Sequence, residues 1–441
     1  MADPKPKLDI QAAAPPTVTP PPPKKTPLQH FRATDARGVA QLATQATVGV
    51  TRIVEGVHQS VLRSLGTTGG KQPGQTSGVT GLVYRSVEAI AQLLGKGADA
   101  VMARLQPLLE MTDQAAPESP QREAVLAALN GVMGDRLAAT GNPFATRMTL
   151  RFRGIEVQPQ ALPAELASSS KAILLIHGLC MNDLQWQTQQ DGQPFDHGAS
   201  LGAAMQAPAL YLRYNSGRHV SENGAALCAT LEQLVVRPGN TLENLAVVAH
   251  SMGGLVIRSA LHQATERGQR WPAAIKNIVF LGTPHHGAPL ERAGNWVDEL
   301  LGSTPWSAPF ARLGQLRSAG ITDLRYGLVA DAEWRGHERF RRQPDRRLHV
   351  PLPEGIACYA VAATVAAKRS PLADRLVGDG LVPLQSALGQ HKDPLRTLAF
   401  AKSSQYIAWR THHMALLHSP QVAAQMLRWL APAQDGACAG P

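Results

Sequence analysis

The chain has 441 residues, of which 44% are hydrophobic and 17% charged, so a sizeable core can be buried and wholesale disorder is excluded. The net charge of +10 is modest for this length and argues against a dense nucleic-acid-binding surface. It leaves two interpretations open, contact with an anionic surface or an arginine-rich solvated exterior. No apolar run has the length of a signal peptide or a membrane span, which predicts a cytoplasmic protein. The cysteines lack metal-ligand spacing, and Cys180, Cys228 and Cys358 are expected to be buried, reduced thiols.

The N-terminal part is predicted to be a tail followed by a helical module. Residues 1–34 are rich in proline and lysine, which favours a disordered tail. Residues 35–145 carry helical patterns over about 35–65, 79–109 and 119–137, each with a wide apolar stripe. Such stripes must pack on something. They form either a layer over the next domain or a surface that docks on a membrane or storage granule, and a substrate lid is a further alternative.

From about residue 146 the pattern changes to short apolar runs separated by helical segments. The runs that predict strands are 148–153 with its neighbour 155–157, then 171–176, 209–212, 245–249, 278–281 and 357–361. The helices predicted between and after them are 222–235, 253–265 and 413–430. This alternation predicts an α/β fold, a mostly parallel central sheet flanked by helices, over residues 146–432. Residues 433–441 are expected to be a disordered tail.

The segment Ala249-His250-Ser251-Met252-Gly253-Gly254 joins the strand 245–249 directly to a helix. A serine in a sharp strand-to-helix turn projects its hydroxyl from the sheet, and small residues two positions before and after it allow strand and helix to approach. The pattern therefore predicts that Ser251 is a catalytic nucleophile. The alternative is a glycine-rich turn with a capping serine.

Further segments accompany this turn in chain order. They are His177-Gly178-Leu179, Gly282-Thr283-Pro284-His285-His286-Gly287, Gly378-Asp379-Gly380-Leu381-Val382-Pro383 and His412-His413-Met414-Ala415-Leu416-Leu417. Together with the serine turn they resemble bacterial lipases and GPI inositol-deacylase-like hydrolases, the lipase and esterase group of the α/β-hydrolase superfamily. The resemblance covers about residues 170–425 and leaves out the N-terminal helical module.

The resemblance implies a role for each segment. Ser251, Asp379 and His413 would form a Ser-His-Asp triad, with Asp374 as the rival acid and His412 as the fallback base. The backbone N–H groups of Leu179 and Met252 would form the oxyanion hole. His177 is expected to be structural, and the histidines 285 and 286 are expected to belong to the loop rather than to a metal site, since partners at ligand spacing are not evident.

The resemblance also implies a cap inserted over about residues 289–350. Within it, Trp296, Trp306 and Phe310 are candidate substrate-binding residues, and His250 beside the serine is another. Ordinary packing of the cap is the alternative for the aromatic residues. The arginine-rich run 335–347 would either contact anionic headgroups or remain a solvated loop.

The predicted function is a serine carboxylic-ester hydrolase that acts through an acyl-enzyme on apolar or lipid-like acyl esters. No metal or organic cofactor is implied, and nucleic acid is not an expected partner. Three other reactions use the same triad and stay open, namely thioester hydrolysis, polyester depolymerisation and acyl transfer. An alternative of another class is a protein that docks on a membrane or granule through its N-terminal helices. The oligomeric state is not predicted.

Overall fold

The computed structural model describes residue 38 and residues 120–190, 192–236, 239, 242–288, 318–336, 347–366 and 378–431. Several predictions lie outside these residues. They concern the two tails, the helices over 35–65 and 79–109, most of the cap and of the arginine-rich run, and the residues Asp374, Trp296, Trp306 and Phe310.

The centre of the molecule is a sheet whose strands run mostly parallel. Its strands are β1 (Thr149–Phe152), β2 (Ile155–Val157), β3 (Lys171–Ile176), β6 (Ala209–Arg213), β7 (Asn244–His250), β8 (Ile275–Leu281), β9 (Ala357–Thr364) and β10 (Gln405–Trp409). A separate hairpin is formed by β4 (Thr188–Gln190) and β5 (Gln193–Phe195). The order across the large sheet is β2-β1-β6-β3-β7-β8-β9-β10. Strand β1 is antiparallel to both of its neighbours, and the pairs from β6 to β10 are parallel. The carboxyl ends of these parallel strands therefore meet at one edge, where ligands bind in open α/β sheets.

Helices flank the sheet on both faces. The α-helices are α1 (Pro120–Ala139), α2 (Ala164–Ala167), α3 (His197–Met205), α4 (Val220–Val235), α5 (Met252–Glu266), α6 (Ala319–Tyr326), α7 (Leu384–Ala387) and α8 (Pro420–Leu430). Short 3-10 helices lie at Asp183–Trp186, Trp271–Ala274, Asp331–Glu333, Pro394–Arg396, Lys402–Ser404 and Met414–Leu417. In the described part of the chain, no helix has the length and apolar character needed to cross a membrane.

The alternation of side chains along each buried strand produces two cores. Leu174 and Ile176 of β3 pack on one face with residues of α1, α4 and α5, whereas Ile173 and Leu175 pack on the other with residues of α3 and α8. Strands covered on both sides are apolar at successive positions, which is why the runs were recognisable in the sequence. Cys180, Cys228 and Cys358 are buried and free, as predicted.

Helix α1, the described helix of the N-terminal module, is part of the main core. Leu129, Val132 and Leu137 of α1 pack in the same core as Leu150 of β1 and Leu212 of β6. Helix α1 is therefore a layer on the sheet rather than a free surface. The docking interpretation was made for the helices over 35–137, of which α1 lies in the core; the residues before 120 lie outside the described part except residue 38.

One predicted helix was wrong in its extent, and several elements were missed. The single helix predicted over 413–430 is wrong, because a 3-10 turn ends at Leu417 and α8 starts afresh at Pro420. The hydroxyl of Ser419 accepts the Val422 amide at 3.4 Å, so serine and proline together begin a new helix. Strand β10, the hairpin β4–β5 and helix α3 were not predicted.

Candidate active site

Ser251 occupies the turn between β7 and α5, and its backbone is strained. Its φ of 53° and ψ of −122° lie where residues with a side chain are rarely found. The Ser251 amide donates to the Leu281 carbonyl at 2.8 Å, and the Gly254 amide donates to the Ser251 carbonyl at 3.0 Å. The strand-turn-helix connection expected from the sequence is thus present. It is fixed to the carboxyl end of the neighbouring strand β8.

Close packing explains the glycines around this turn. A Cβ on Gly253 would lie 2.6 Å from the carbonyl oxygen of Ile176, and a Cβ on Gly254 would overlap the Thr283 hydroxyl. Strand β3 and the turn after β8 therefore approach α5 so closely that positions 253 and 254 have no room for side chains.

Asp379 and His413 are brought together from distant parts of the chain. Asp379 Oδ2 lies 2.7 Å from Nδ1 of His413, and both side chains are buried. The other carboxylate oxygen accepts the amides of Leu381 and Val382 at 2.9 and 2.7 Å. The His413 amide also donates to the Asp379 carbonyl, at 3.0 Å. This arrangement fixes the imidazole with its Nδ1–H on the carboxylate and leaves Nε2 to accept a proton.

Ser251 and His413 both lie close to the turn at Leu281 and Gly282. The Ser251 amide is bonded to the residue before Gly282, and a Cβ on Gly282 would lie 3.1 Å from Nδ1 and Cε1 of His413. Among the described residues, the Ser251 hydroxyl and the His413 ring share no hydrogen bond. Serine and imidazole are therefore neighbours at one edge of the sheet without being joined in this state.

The structure distinguishes the two adjacent histidines. His412 is exposed, whereas His413 is 1% exposed and bonded to Asp379. Of the two rings, the structure therefore joins that of His413 to the candidate acid.

His250 lies beneath the site. Its ring is fully buried, lies 4.7 Å from the His413 ring between centroids, and places Nε2 a long 3.4 Å from the His413 carbonyl. Burial, and then the charge that His413 can carry, hold the pKa of His250 well below its ordinary value. The neutral, buried ring of His250 packs against the His413 ring. In this structure it has no exposed surface on which a substrate could bind.

The loop after β3 runs directly against Ser251. A Cβ on Gly178 would lie 3.0 Å from the Ser251 Cβ and 3.1 Å from Nδ1 of His250. Within the described residues, the amides of Leu179 and Met252 have no hydrogen-bond partner. Met252 begins α5, so its N–H is one of the donors that a helix leaves unsatisfied at its positive end. Both candidate oxyanion donors therefore lack a protein acceptor among the described residues.

His177 holds this loop in place. Its Nδ1 lies 2.8 Å from the Gly178 carbonyl, its Nε2 accepts the Tyr214 amide at 3.3 Å, and its ring stacks on Tyr214 at 4.2 Å. The carbonyl of His177 accepts the Tyr214 hydroxyl at 2.8 Å. These contacts are those of a structural residue.

Helix α1 braces the same loop, which the sequence analysis missed. A Cβ on Gly131 would overlap Cys180 Sγ and lie 2.8 Å from Cys180 Cα and 2.9 Å from its amide nitrogen. Asn182 Nδ2 donates to the Glu123 carbonyl at 2.9 Å. The glycines 131 and 134, three apart in a helical pattern, were the signal of a close approach. Leu179 therefore sits in a loop that is held by α1.

Replacing Gly131 by alanine is expected to lower ester-hydrolysis activity by about 10-fold to 100-fold and stability by about 1–3 kcal/mol. The added methyl group collides with the backbone of Cys180, so the loop that carries Leu179 must shift. Activity assays and urea unfolding measure the two effects. The exposed residue Arg136 on the same helix gives the control, since Arg136→Ala should change neither quantity appreciably. Wild-type activity in Gly131→Ala would show that α1 does not position the loop.

Buried neutral histidines predict that the fold is acid-labile. Burial lowers the pKa of His177 to about 4 and, likewise, that of His197 to about 4, from an ordinary value of 6.5. Between about pH 4 and pH 6.5 the unfolded chain therefore binds more protons than the folded chain. The free energy of unfolding should therefore fall as the pH falls through this window, by up to about 1.4 kcal/mol per pH unit for each such histidine.

Urea titrations at about pH 7 and about pH 5 check this expectation. The His177→Phe variant keeps a ring on Tyr214 and removes one titrating group. Its stability should fall less steeply with acid than that of the wild type, while every other titrating group is unchanged. Equal slopes in the two proteins would contradict the account of His177.

A large groove lies away from these residues. Its volume is about 640 Å³, and it runs between β1, β6 and α3, where Arg151, Asp183, Asp196 and Tyr211 are among its lining residues. Ser251, Asp379 and His413 are not among its described lining residues. The groove is therefore not the place where the candidate triad would bind an acyl group.

Comparison with known proteins found one partial match to a family model and several similar solved structures. A family model described as a domain of unknown function, DUF7379, matches residues 145–320, which is less than half of the chain. No curated protein matches the sequence. Among solved structures, a lipase of Bacillus licheniformis is 17% identical, with 60% of this chain and 94% of that chain covered and a TM-score of 0.39.

Two further solved structures are similar to the same extent. The RedJ thioesterase of Streptomyces coelicolor is 16% identical over 62% of this chain and 93% of that chain, with a TM-score of 0.34. An esterase of Pyrococcus furiosus is 13% identical over 60% of this chain and 83% of that chain, with a TM-score of 0.33. Likeness at this level carries no information about the reaction, which has to be inferred from the residues themselves.

The fold follows from the chain's own topology. The sheet is mostly parallel, has the order β2-β1-β6-β3-β7-β8-β9-β10 and is covered by helices on both faces. It also carries a strained serine between β7 and α5. By this architecture, the chain is an α/β-hydrolase in its fold.

Proposed function

We propose that the protein is a serine hydrolase that cleaves carboxylic esters through Ser251, His413 and Asp379. The observation that carries the proposal is the 2.7 Å hydrogen bond between buried Asp379 and Nδ1 of His413, beside the strained Ser251. A buried carboxylate on one ring nitrogen and a serine held at the same turn as the ring are the parts that general-base catalysis needs.

The first half of the reaction forms an acyl-enzyme. Nε2 of His413 takes the hydroxyl proton of Ser251 while Oγ attacks the acyl carbon of the ester. The carbonyl oxygen becomes an oxyanion and accepts hydrogen bonds from the backbone amides of Leu179 and Met252. These amides have no protein partner among the described residues. The bond to the alcohol then breaks, and His413 returns the proton to the leaving oxygen.

The second half regenerates the enzyme. Water gives a proton to His413 and attacks the acyl carbon, and the bond to Ser251 Oγ breaks as the serine takes the proton back. Asp379 stays ionised throughout and stabilises the imidazolium. The serine–histidine hydrogen bond would form in the complex with substrate, since catalytic hydrogen bonds are often long before substrate binds.

The substrate class proposed is an apolar or lipid-like acyl ester. The support is the sequence of residues 289–317, where Trp296, Trp306, Phe310 and several leucines would supply an apolar lining. The triad is also compatible with thioesterase, depolymerase and acyltransferase activity, and no contact in the described residues favours one of these.

A panel of p-nitrophenyl esters, from acetate through octanoate to palmitate, tests the proposal. The protein is expected to hydrolyse the panel with a higher kcat/KM for octanoate than for acetate. Acetate as the best substrate would overturn the substrate class alone. Failure to hydrolyse any member, or any matching acyl thioester, would overturn the function. Product analysis with an added alcohol separates transfer from hydrolysis.

A further inference from the structure

The residues that carry the candidate base form a short turn that is held near both of its ends. His413 begins a 3-10 helix, and we call residues 413–417 the base turn. At its start, the amide and the ring of His413 are both bonded to Asp379. Near its end, the Leu416 carbonyl lies 2.8 Å from Nε2 of His197. Two side chains from distant parts of the chain therefore fix the base turn.

His197 is the first residue of α3 and is fully buried. Burial lowers the pKa of His197 to about 4, so the ring is neutral at neutral pH. A carbonyl oxygen can only accept, so the one ring proton lies on Nε2 and is donated to Leu416. Nδ1 is buried and has no partner among the described residues. Within the described part of the chain, the ring therefore makes a single hydrogen bond, and that bond is to the base turn.

The ring of His197 has a rigid support. Oδ1 of Asp196 accepts two amides of the first turn of α3, at 2.6 and 3.1 Å, and the Tyr211 hydroxyl of β6, at 2.8 Å. The start of α3 is thereby joined to the sheet. The ring also packs edge-on against Phe195 and Trp186, at 5.0 and 6.4 Å between centroids. The donor is therefore held in place by a helix start and two aromatic rings, which is what a precise support requires.

Leu416 shares its contacts with the catalytic candidates. A Cβ on Gly282 would lie 2.8 Å from Cδ1 of Leu416 and 3.1 Å from Nδ1 and Cε1 of His413. The Leu416 amide donates to the His413 carbonyl at 3.3 Å. The residue before Gly282, Leu281, accepts the Ser251 amide at 2.8 Å. A shift of Leu416 would therefore move the His413 ring relative to the turn that holds Ser251.

We propose that His197 is a positioning residue for the base. By holding the Leu416 carbonyl, it keeps the base turn where Nε2 of His413 can take the hydroxyl proton of Ser251. The inference rests on the proposed function and assigns His197 no contact with substrate. Its effect falls on turnover, because a displacement of about 1 Å at the reacting groups can lower a rate about 100-fold. A bond that only satisfied a buried carbonyl would act on stability and leave the rate per folded molecule unchanged.

Steady-state hydrolysis of the best p-nitrophenyl ester of the panel by three variants of the full chain tests the proposal. His197→Met removes the donor and keeps a long side chain, so kcat is expected to fall about 10-fold to 100-fold with KM within about 3-fold of the wild type. His197→Gln carries an amide nitrogen that can reach the same carbonyl and should keep kcat within about 3-fold. His197→Asn carries the same amide on a shorter side chain and should be as slow as His197→Met.

His286→Met is the matched control. Nε2 of His286 lies 3.0 Å from the Gly389 carbonyl, and burial lowers the pKa of His286 to about 4, so the two histidines make the same kind of bond. Gly389 packs against Leu398 and Phe400 rather than against the base turn. The control variant should have a lower melting temperature and an unchanged kcat. It separates the loss of a hydrogen bond from the displacement of the base.

A crystal structure of the wild type with a fluorophosphonate adduct on Ser251 gives a readout that does not depend on a variant folding. The His413 ring is expected to be bonded to the adduct while His197 keeps its bond to Leu416. A broken His197–Leu416 bond in the adduct, a wild-type kcat in His197→Met, or a His197→Gln variant as slow as His197→Met would each overturn the inference in a protein that is active. A wild type that neither hydrolyses esters nor takes the label would instead overturn the proposed function, and the inference with it.

Discussion

Replacing Ser251 by alanine is expected to lower the rate of ester hydrolysis by about 10⁴-fold to 10⁶-fold. Alanine keeps the Cβ and removes only the hydroxyl that would attack the acyl carbon. The residual rate would come from the amides of Leu179 and Met252, which could still polarise a bound ester. Hydrolysis of a p-nitrophenyl ester, followed with titrated protein, measures the effect, and Ser403→Ala at an exposed position is the matched control.

The backbone strain at Ser251 allows a second measurement, that of stability. The left-handed φ of 53° costs a residue with a Cβ about 1–3 kcal/mol, and glycine escapes most of that cost. Ser251→Gly should therefore be as inactive as Ser251→Ala and, by urea unfolding, more stable than it by about 1 kcal/mol. Substantial activity in either variant would exclude Ser251 as the nucleophile. Equal stability would contradict the strained turn.

Replacing His413 by alanine is expected to lower the rate of ester hydrolysis by about 10⁴-fold, because the imidazole carries the proton in both halves of the reaction. The His412→Ala variant should keep most of the activity, since that side chain is exposed and His413 is the ring bonded to Asp379. The comparison is sharp because the two positions are adjacent in the chain and the substitution is the same.

Asp379→Asn extends this test to the acid. An amide keeps the shape of the carboxylate but cannot stabilise the imidazolium, so we expect a loss of about 10³-fold to 10⁴-fold. An inactive His412→Ala beside an active His413→Ala would reassign the base. An active Asp379→Asn would reassign the acid, for which Asp374 is the rival.

The strands could be predicted because burial on both faces leaves a direct mark on the sequence. The runs 171–176 and 245–249 are continuous in apolar residues, and the structure places β3 and β7 there, at the centre of the sheet. Strand β10 (Gln405–Trp409) lies at the edge and is mostly half-buried, so its residues show no such continuity. Helix α3 (His197–Met205) is rich in glycine and alanine, which weakens a periodic pattern.

The site divides in the same way into local and distant parts. The turn around Ser251 is encoded by neighbouring residues and could be proposed from them alone. Asp379 and His413 lie 34 residues apart in the sequence, and their pairing depends on how β9 and β10 end at one edge. Only the resemblance to lipases suggested them. The glycines at 131 and 134 indicate that another segment approaches α1 closely, but that this segment is the loop of Leu179 depends on three-dimensional contacts and could not be predicted.

Labelling with a fluorophosphonate, followed by peptide mass spectrometry, tests most directly whether one serine is activated for attack. We expect a single covalent adduct, on the peptide that contains Ser251, together with complete loss of esterase activity. An adduct on another serine, or an unlabelled Ser251 in a protein that still hydrolyses esters, would contradict this expectation.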